Sequence, residues 1–223
     1  MAASAWHPAY EDLPGEIAVF PLTGALLLPQ GRLPLNIFEP RYLAMTLDAL
    51  AEGRMFGMVQ PNPAEPPGET GPALYRVGCL GRISSFSETE DGRLLITLTG
   101  IIRFEIIAEL PMRRGYRRVR VDYSAFAEDL DLAQRPELDR ARLERGLRAF
   151  FRARGIEANW QAVREMSNAA LVTTLSMVCP FEPCEKQALL EAPTVDDRAD
   201  LLLTLIEIGA HGGSEGGPRS PLS

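Results

Sequence analysis

Repeated helix breakers divide the most apolar segment of this chain, which runs from Phe20 to Tyr42. They are Pro21, Gly24, Pro29, Gly31 and Pro34. One long helix is excluded, because proline lacks the N–H that a helix interior needs and its ring clashes with the preceding turn. The pattern therefore predicts short extended segments joined by tight turns.

A helix is predicted to begin at Pro40, since the missing N–H of proline costs nothing at the first helical position. Leu43, Leu47 and Leu50 follow at helical spacing, and Gly53 ends the run. We expect these three leucines to face the core. The opening segment is thus predicted to be a strand, turn, strand and helix unit.

Short strands are predicted after this helix, interrupted by a proline-rich surface loop from Pro61 to Pro72. Gly78 and Gly81 indicate a bulge or a close backbone approach within one strand. Asp91-Gly92 is typical of a two-residue hairpin turn that needs a positive φ. The expected strands are Met55 to Gln60, Tyr75 to Ser85, Arg93 to Thr99, Ile101 to Leu110 and Tyr116 to Tyr123. Such a set indicates a small barrel or a curled sheet.

The hydrophobic period changes from strand to helix near Ser124. Pro136 is predicted to lie in the first turn of a helix that ends at Gly155. Four more helices are expected: one with Trp160 and Val163, one capped by Ser167, one from Glu185 to Glu191, and one opened by Thr194 with Asp197. The chain is therefore predicted to be an α+β protein, with a β-rich half and a helical bundle.

These patterns predict four segments. Residues 1–12 are expected to be flexible, 13–125 to form the β-rich subdomain and 126–209 to form the helical bundle. The glycine-rich tail, 210–223, has too little apolar surface to fold and is expected to be disordered.

The catalytic residue types are scarce. Lys186 is the only lysine, and its neighbours, Cys184-Glu185-Lys186-Gln187, do not form a phosphate-binding loop. We expect its amine to lie on a solvated helix face, which argues against a serine–lysine dyad. The two histidines, His7 and His211, lie near the chain ends, where neither a catalytic triad nor a zinc site is expected. The sequence thus indicates a non-catalytic protein without a metal or cofactor.

Charge and cysteine content restrict the setting and the partners. The net charge of −7 argues against extensive phosphate binding. Three cysteines without a paired motif favour a reducing, cytoplasmic setting. The sequence shows neither a signal peptide pattern nor an apolar run near the ~20 residues that span a bilayer. We therefore expect a cytoplasmic protein that does not enter a membrane.

Several short motifs follow one another along the chain: Phe20-Pro21-Leu22, Pro29-x-Gly31, Leu33-Pro34-Leu35-x-Ile37-Phe38-Glu39-Pro40-Arg41-Tyr42, Gly78-x-x-Gly81-x-Ile83 and Leu98-x-Gly100-x-x-Arg103-Phe104. Later come Pro180-Phe181-Glu182-Pro183 and Lys186-Gln187-x-Leu189-Leu190-Glu191. Together they resemble the N-terminal domain of the Lon protease family, from Leu13 to Ile208. The combination is specific, although each motif alone is weak.

The resemblance implies a β-rich, PUA-like pseudo-barrel followed by a helical bundle. In that family the domain takes part in recognising substrate polypeptides and in assembly, and it hydrolyses neither ATP nor peptide bonds. The chain leaves no room for the motor or the protease, so a stand-alone form is expected. Its expected partners are unfolded or extended polypeptides and a separate protease, and the sequence leaves the oligomeric state open.

Most motif residues are interpreted as structural. Glu39 is expected to favour the amides at the helix start, Arg41 to pair with a nearby carboxylate or carbonyl, and Tyr42 to pack. This interpretation is preferred to ligand contact because an embedded charge must be satisfied before the fold closes. The residues in this group are Pro21, Pro29, Gly31, Phe38, Glu39, Pro40, Arg41, Tyr42, Gly78, Gly81, Gly100 and Arg103.

Two binding hypotheses follow. In the first, exposed leucines form part of a groove for extended polypeptide, namely Leu26, Leu27, Leu28 and Leu33. In the second, a PUA-like fold binds RNA through Arg113, Arg114, Arg117, Arg118 and Arg120. The acidic net charge and the single interleaved aromatic residue, Tyr116, argue for a solvated strand face instead.

Overall fold

The computed structural model describes residues 8–211. They form two compact units, one from residues 8–133 and 177–191 and the other from residues 134–176 and 192–211. In the described chain, no helix is both long and apolar enough to cross a membrane.

The first unit is built on one six-stranded sheet in the order β2-β5-β4-β3-β1-β6. Its strands are β1 Glu16–Pro21, β2 Arg32–Ile37, β3 Met55–Val59, β4 Val77–Glu88, β5 Leu94–Arg113 and β6 Tyr116–Asp122. β1 and β3 run parallel, and the other pairings of the sheet are antiparallel. β5 also pairs with β6, which closes five strands into a ring. The predicted pseudo-barrel is confirmed.

The ring is filled by side chains that alternate inward along its strands. Fully buried members include Val19, Leu80, Ile102, Phe104 and Val119. Two glycines make room for the Phe104 ring, because a Cβ at Gly78 would lie 2.4 Å from it and one at Gly57 would lie 2.8 Å from it. The predicted close approach at Gly78 is confirmed, and the register of β4 and β5 also shifts between Leu80 and Gly81.

The β4–β5 hairpin turns through three residues rather than the predicted two. The Gly92 N–H donates to the Thr89 carbonyl at 3.0 Å, and the Thr89 N–H donates to the Arg93 carbonyl at 3.0 Å. Gly92 has a φ of 78°. This combination is a turn followed by one left-handed residue, so the prediction of a hairpin is confirmed but its turn type is wrong.

Helix α1, Pro40–Ala51, begins at the predicted proline but buries a different face. Tyr42, Met45 and Ala49 are buried at helical spacing, whereas Leu47 is 51% exposed. The Tyr42 ring packs against Phe20 with 4.2 Å between ring centroids, which fixes this face toward β1. The prediction that Leu47 faces the core is therefore wrong.

The second unit contains α2 Arg140–Arg154, α3 Trp160–Glu165, most of α4 Asn168–Val178, and α6 Val195–His211. Asp139 caps α2 by accepting from the Arg142 N–H at 2.9 Å, and Gly155 ends it with a φ of 65°. Pro136 therefore precedes the helix instead of lying in its first turn. The capping residues predicted for α4 and α6 are confirmed, since Ser167 accepts from Ala170 at 3.2 Å and Thr194 accepts from Asp197 at 3.1 Å.

Helix α5, Pro183–Glu191, belongs to the first unit. The Gln187 side chain donates to the Val77 carbonyl at 3.1 Å and accepts from the Gln60 side chain at 3.2 Å. These bonds attach α5 to the sheet, so the predicted division into residues 13–125 and 126–209 differs from the division in the structure. The terminal predictions lie mostly outside the described residues, within which Tyr10–Asp12 form a 3-10 turn and α6 continues to His211.

Candidate functional site

Three of the four leucines predicted to line a groove are buried. Leu26, Leu27 and Leu28 are between 0% and 2% exposed, whereas Leu33 is partly exposed. The segment before β2 is held against β5, because the Gln30 N–H donates to the Gly100 carbonyl at 2.8 Å. The prediction that Leu26, Leu27 and Leu28 offer an exposed apolar surface is therefore wrong.

Leu33 lies on β2, which is the edge strand of the sheet. β2 pairs only with the first half of β5, from Arg32 opposite Thr99 to Ile37 opposite Leu94. Alternation places Leu33 and Leu35 on the same face as the buried Ile96 and leaves Pro34 and Asn36 on the opposite, outer face. The outer face and one side of β2 are thus open to solvent.

An open groove of about 490 Å³ crosses this part of the sheet. We call it the edge groove. Its lining residues, none of them charged, are Pro34, Leu35, Asn36, Ser85, Phe86, Ser87, Leu95, Ile96 and Thr97. Phe86 is 51% exposed and Leu95 is 47% exposed. The register pairs Leu95 with Asn36 and Ser87 on the outer face, whereas Phe86 is opposite Ile96 and lies on the other face of the sheet. The outer face of the edge groove therefore combines one exposed apolar side chain, Leu95, with short neutral polar ones.

Charged and aromatic residues lie beyond the two ends of the edge groove. Thr99 on β5 pairs with Arg32 on one side and Arg82 on the other, so both arginines occupy one row of the outer face. At the other end Phe38 is 58% exposed, and the Arg93 guanidinium lies 5.7 Å from the centre of its ring. The surface thus runs from a basic row through two neutral rows to an exposed aromatic residue.

Sequence reasoning missed this surface, although one signal was present. In Arg93 to Thr99, Leu94, Ile96 and Leu98 share the buried face, and Leu95 interrupts the otherwise polar outer face. An apolar residue on the outer face of a half-buried strand suggests a binding surface only when the strand is known to lie near an edge.

The charged residues around Pro40 stabilise the fold locally. Arg41 donates to one carboxylate oxygen of Glu39 through Nε at 3.0 Å and Nη2 at 2.8 Å, as predicted for Arg41. The Glu39 side chain does not cap α1, and its backbone carbonyl accepts from Tyr42 at 2.9 Å instead. The Glu39 side chain therefore makes no hydrogen bond to the helix amides, and its expected electrostatic role there stays a prediction. Burial raises the pKa of Tyr42, whose ring packs as predicted.

Arg103 forms a buried ion pair with Asp129. Its Nε and Nη2 donate to the two carboxylate oxygens, each at 2.8 Å, and its backbone N–H donates to the same carboxylate at 2.9 Å. Its Nη1 donates to the Leu190 carbonyl at 3.1 Å. Because this one guanidinium joins β5, the segment after β6 and the end of α5, its contacts are those of a structural residue.

The remaining motif residues mark close approaches between backbones and side chains. A Cβ at Gly100 would lie 2.0 Å from the Leu28 carbonyl oxygen, and one at Gly31 would lie 2.3 Å from the sulfur of Met177. A Cβ at Gly81 would lie 2.7 Å from the Leu27 side chain. Pro29 is buried beside these glycines, and Pro21 ends β1. At the three glycines an added side chain would collide with neighbouring atoms, so these positions require glycine for packing.

Lys186 is buried, contrary to the prediction of a solvated helix face. Its Nζ donates to the Gly24 carbonyl at 2.8 Å and to the Met177 carbonyl at 3.3 Å. Desolvation lowers the pKa of this amine. The error arose because its helix neighbours are polar, whereas the apolar environment comes from distant parts of the chain. Both observed contacts are to backbone carbonyls, which makes this lysine a link between the loop before β2 and α5.

The five arginines of the RNA hypothesis are bound to carboxylates or backbone carbonyls of the protein itself. Arg113 binds Glu52, which follows α1, at 3.0 Å, and Arg114 binds Asp48 within α1 at 2.6 Å. Arg118 and Arg120 both bind Glu16, at 3.2 Å and 2.9 Å. Arg117 is buried and binds Glu109 and the Pro72 carbonyl. This pattern favours the solvated and ion-paired strand face over a phosphate-binding surface.

Within residues 8–211, no group of three or more His, Cys, Asp or Glu side chains is arranged so that it could hold a metal ion. None of the three cysteines forms a disulfide within residues 8–211; Cys79 and Cys179 are buried and Cys184 is exposed.

Sequence and structure comparisons agree on one group of proteins. Residues 16–207 match the family model of the ATP-dependent protease La (LON) substrate-binding domain. "Lon protease 2" of Myxococcus xanthus is 26% identical over 204 residues, which cover 88% of this chain and 24% of that protein. "Lon protease 1" of Bdellovibrio bacteriovorus is 27% identical over 210 residues, covering 86% of this chain and 24% of that protein.

Solved structures show the same fold. A Lon N-terminal domain protein from Xanthomonas campestris matches with a TM-score of 0.58 and 23% identity, over 85% of this chain and 97% of that one. The N-terminal domain of the Mycobacterium avium complex Lon protease matches with a TM-score of 0.58 and 16% identity, over 86% and 97%. The chain spans about a quarter of the two full-length curated relatives. It belongs to the family of LON substrate-binding domains.

Proposed function

We propose that this chain is a non-catalytic module that binds unfolded or extended polypeptides at the edge groove. The observation that carries the proposal is the exposure of Leu95 on the outer face of an open groove with a neutral lining. A large apolar side chain exposed in an open groove is costly to leave in water, and exposed apolar surface commonly marks an interaction surface. An unfolded chain offers the matching chemistry, since it exposes apolar side chains that a folded protein buries.

The family supports this proposal at the level of substrate class. Its model describes the substrate-binding domain of an ATP-dependent protease, and substrates of a protease are polypeptides. We infer that a polypeptide captured at the edge groove is passed to a separate ATP-dependent protease. The non-catalytic assignment is supported by Lys186, whose amine is engaged by two backbone carbonyls.

The test is a binding titration with a labelled, chemically reduced and alkylated model protein that cannot refold. We expect Leu95→Ala to weaken binding about fivefold. Phe86→Ala should leave binding unchanged, because the Phe86 side chain lies on the opposite face of the sheet. Fully burying a leucine side chain contributes about 1.5–3 kcal/mol, and roughly half of the Leu95 side chain is already buried in the free protein. Leu47→Ala is the matched control, because Leu47 is 51% exposed on α1, outside the edge groove.

Equal weakening by all three variants would contradict the edge groove as the site. The RNA alternative is checked in the same format at low salt, with labelled single-stranded RNA. Because the five arginines have carboxylate or carbonyl partners, we expect no saturable RNA binding.

A further inference from the structure

The free side of β2 presents backbone groups that the sheet does not use. At the start of the strand the Gly100 N–H donates to the Gly31 carbonyl at 2.8 Å. With the register of Arg32 opposite Thr99, hydrogen bonding to β5 then alternates along β2. It follows that the backbone groups of Arg32, Pro34 and Asn36 point away from β5. Two of these residues, Pro34 and Asn36, also line the edge groove.

Pro34 interrupts this row in a specific way. It has no N–H, so the free side of β2 offers carbonyl acceptors at three positions but N–H donors only at Arg32 and Asn36. A proline on an edge strand limits indiscriminate pairing with other sheets. A strand added to this edge therefore forms one backbone hydrogen bond fewer than it would on an uninterrupted edge. Its binding is weaker for that reason, which favours release of the bound segment.

The charges of the outer face select among possible strands. The basic row holds Arg32 and Arg82, and Arg32 is exposed and forms no ion pair within residues 8–211. The next two rows, around Thr97 and Leu95, contain only neutral residues. A complementary segment has a carboxylate at the basic row and an uncharged stretch over the neutral rows.

We propose that the edge groove binds its polypeptide by β-strand addition to the free side of β2, and that the preferred segment is uncharged with one acidic residue beside Arg32. The inference rests on the proposed function and specifies its binding mode. Main-chain hydrogen bonds supply affinity that does not depend on sequence, and the neutral and basic rows supply the preference.

The test uses fluorescent eight-residue peptides of alternating threonine and valine with an aspartate at one end, at either the amino or the carboxyl terminus. The tighter of the two is then made in two N-methylated forms, one methylated at two even positions and one at two odd positions. Only alternate N–H groups of an added strand face β2, and the aspartate fixes the register. We expect one form to lose about 30-fold in affinity, with the other close to the unmethylated peptide.

Two protein variants supply independent readouts. Pro34→Ala restores an edge donor, so we expect it to tighten peptide binding about fivefold, whereas a groove that used only side chains would bind more weakly after losing the proline ring. Arg32→Glu is expected to weaken the aspartate peptide about fivefold and to favour a lysine version, while Arg145→Glu on α2 changes neither. Thermal melts and circular dichroism confirm that the variants fold.

The outcomes separate the two proposals. If neither the peptides nor the unfolded model protein bind, the proposed function is wrong. If they bind but both N-methylated forms bind equally, strand addition is wrong while the proposed function stands. If one methylated form fails but the lysine and aspartate peptides bind equally to the unmodified protein, the preference for an acidic residue is wrong.

Discussion

Gly100→Ala tests whether position 100 in β5 must be glycine because the backbone of the segment before β2 passes so close to it. The added Cβ would lie 2.0 Å from the Leu28 carbonyl oxygen and 2.7 Å from its carbonyl carbon. Both atoms belong to backbone, so the overlap cannot be relieved by rotating a side chain. The segment before β2 must move away from β5.

The expected cost follows from what that movement disturbs. Gly100 forms two backbone hydrogen bonds to this segment, donating to Gly31 and accepting from Gln30, each at 2.8 Å. Losing one or both costs about 1 kcal/mol each, and forcing extra volume into a packed site costs about 1–3 kcal/mol. We expect Gly100→Ala to lower the free energy of unfolding by about 2–5 kcal/mol.

Urea denaturation followed by circular dichroism measures this cost, and amide hydrogen exchange at β2 and β5 localises it. Gly15→Ala is the matched control, because no atom lies within 4 Å of its added Cβ and its φ is not in the left-handed region. We expect this control to be neutral or slightly stabilising. A Gly100→Ala protein as stable as the Gly15→Ala control would refute the close approach of these two segments.

Two further predictions concern buried polar groups. Asp129→Ala leaves the Arg103 guanidinium, which is 4% exposed, without its carboxylate partner. We expect urea denaturation to show that the free energy of unfolding falls by about 3–5 kcal/mol. A fall of less than about 1 kcal/mol would contradict the buried ion pair. Burial and the hydrogen bond to Asp48 raise the pKa of Tyr116 to about 12. Because this folded pKa lies above the unfolded value of about 10, the stabilisation is complete below pH 10 and is lost as the pH rises toward 12. In the Tyr116→Phe protein, the free energy of unfolding should fall less as the pH rises from about 10 to about 12. An absorbance titration in which Tyr116 ionises near pH 10 would contradict the buried, hydrogen-bonded environment of its hydroxyl.

Local sequence patterns predicted the features of this fold that depend on neighbouring residues. Pro40 opens α1, Gly155 ends α2 and Ser167 caps α4, because capping depends on residues within one or two helical turns. The ring of short strands was predicted from glycine positions and alternation. Each of these sequence signals lies within a few residues of the structural feature that it determines.

Which residues are buried depends on contacts between residues that are far apart in sequence, and local patterns do not contain this information. Lys186 was expected in solvent because its helix neighbours are polar, yet Gly24, more than 160 residues earlier, accepts its hydrogen bond. Leu28 was expected to be available for binding, yet its carbonyl oxygen lies against Gly100. In both cases the burying partner is distant in sequence, so no local periodicity could have identified it.

The length of β5 explains why this sheet has an open edge at all. β5 spans Leu94–Arg113, whereas β6 spans only Tyr116–Asp122 and pairs with β5 from Glu105 onward. The first half of β5 extends past the ring, and β2 fills the side that β6 does not reach. Because β2 takes part in no other pairing of the sheet, its second side stays unpaired. The same mismatch in strand length that lets five strands close into a ring thus creates the edge at which we place polypeptide binding.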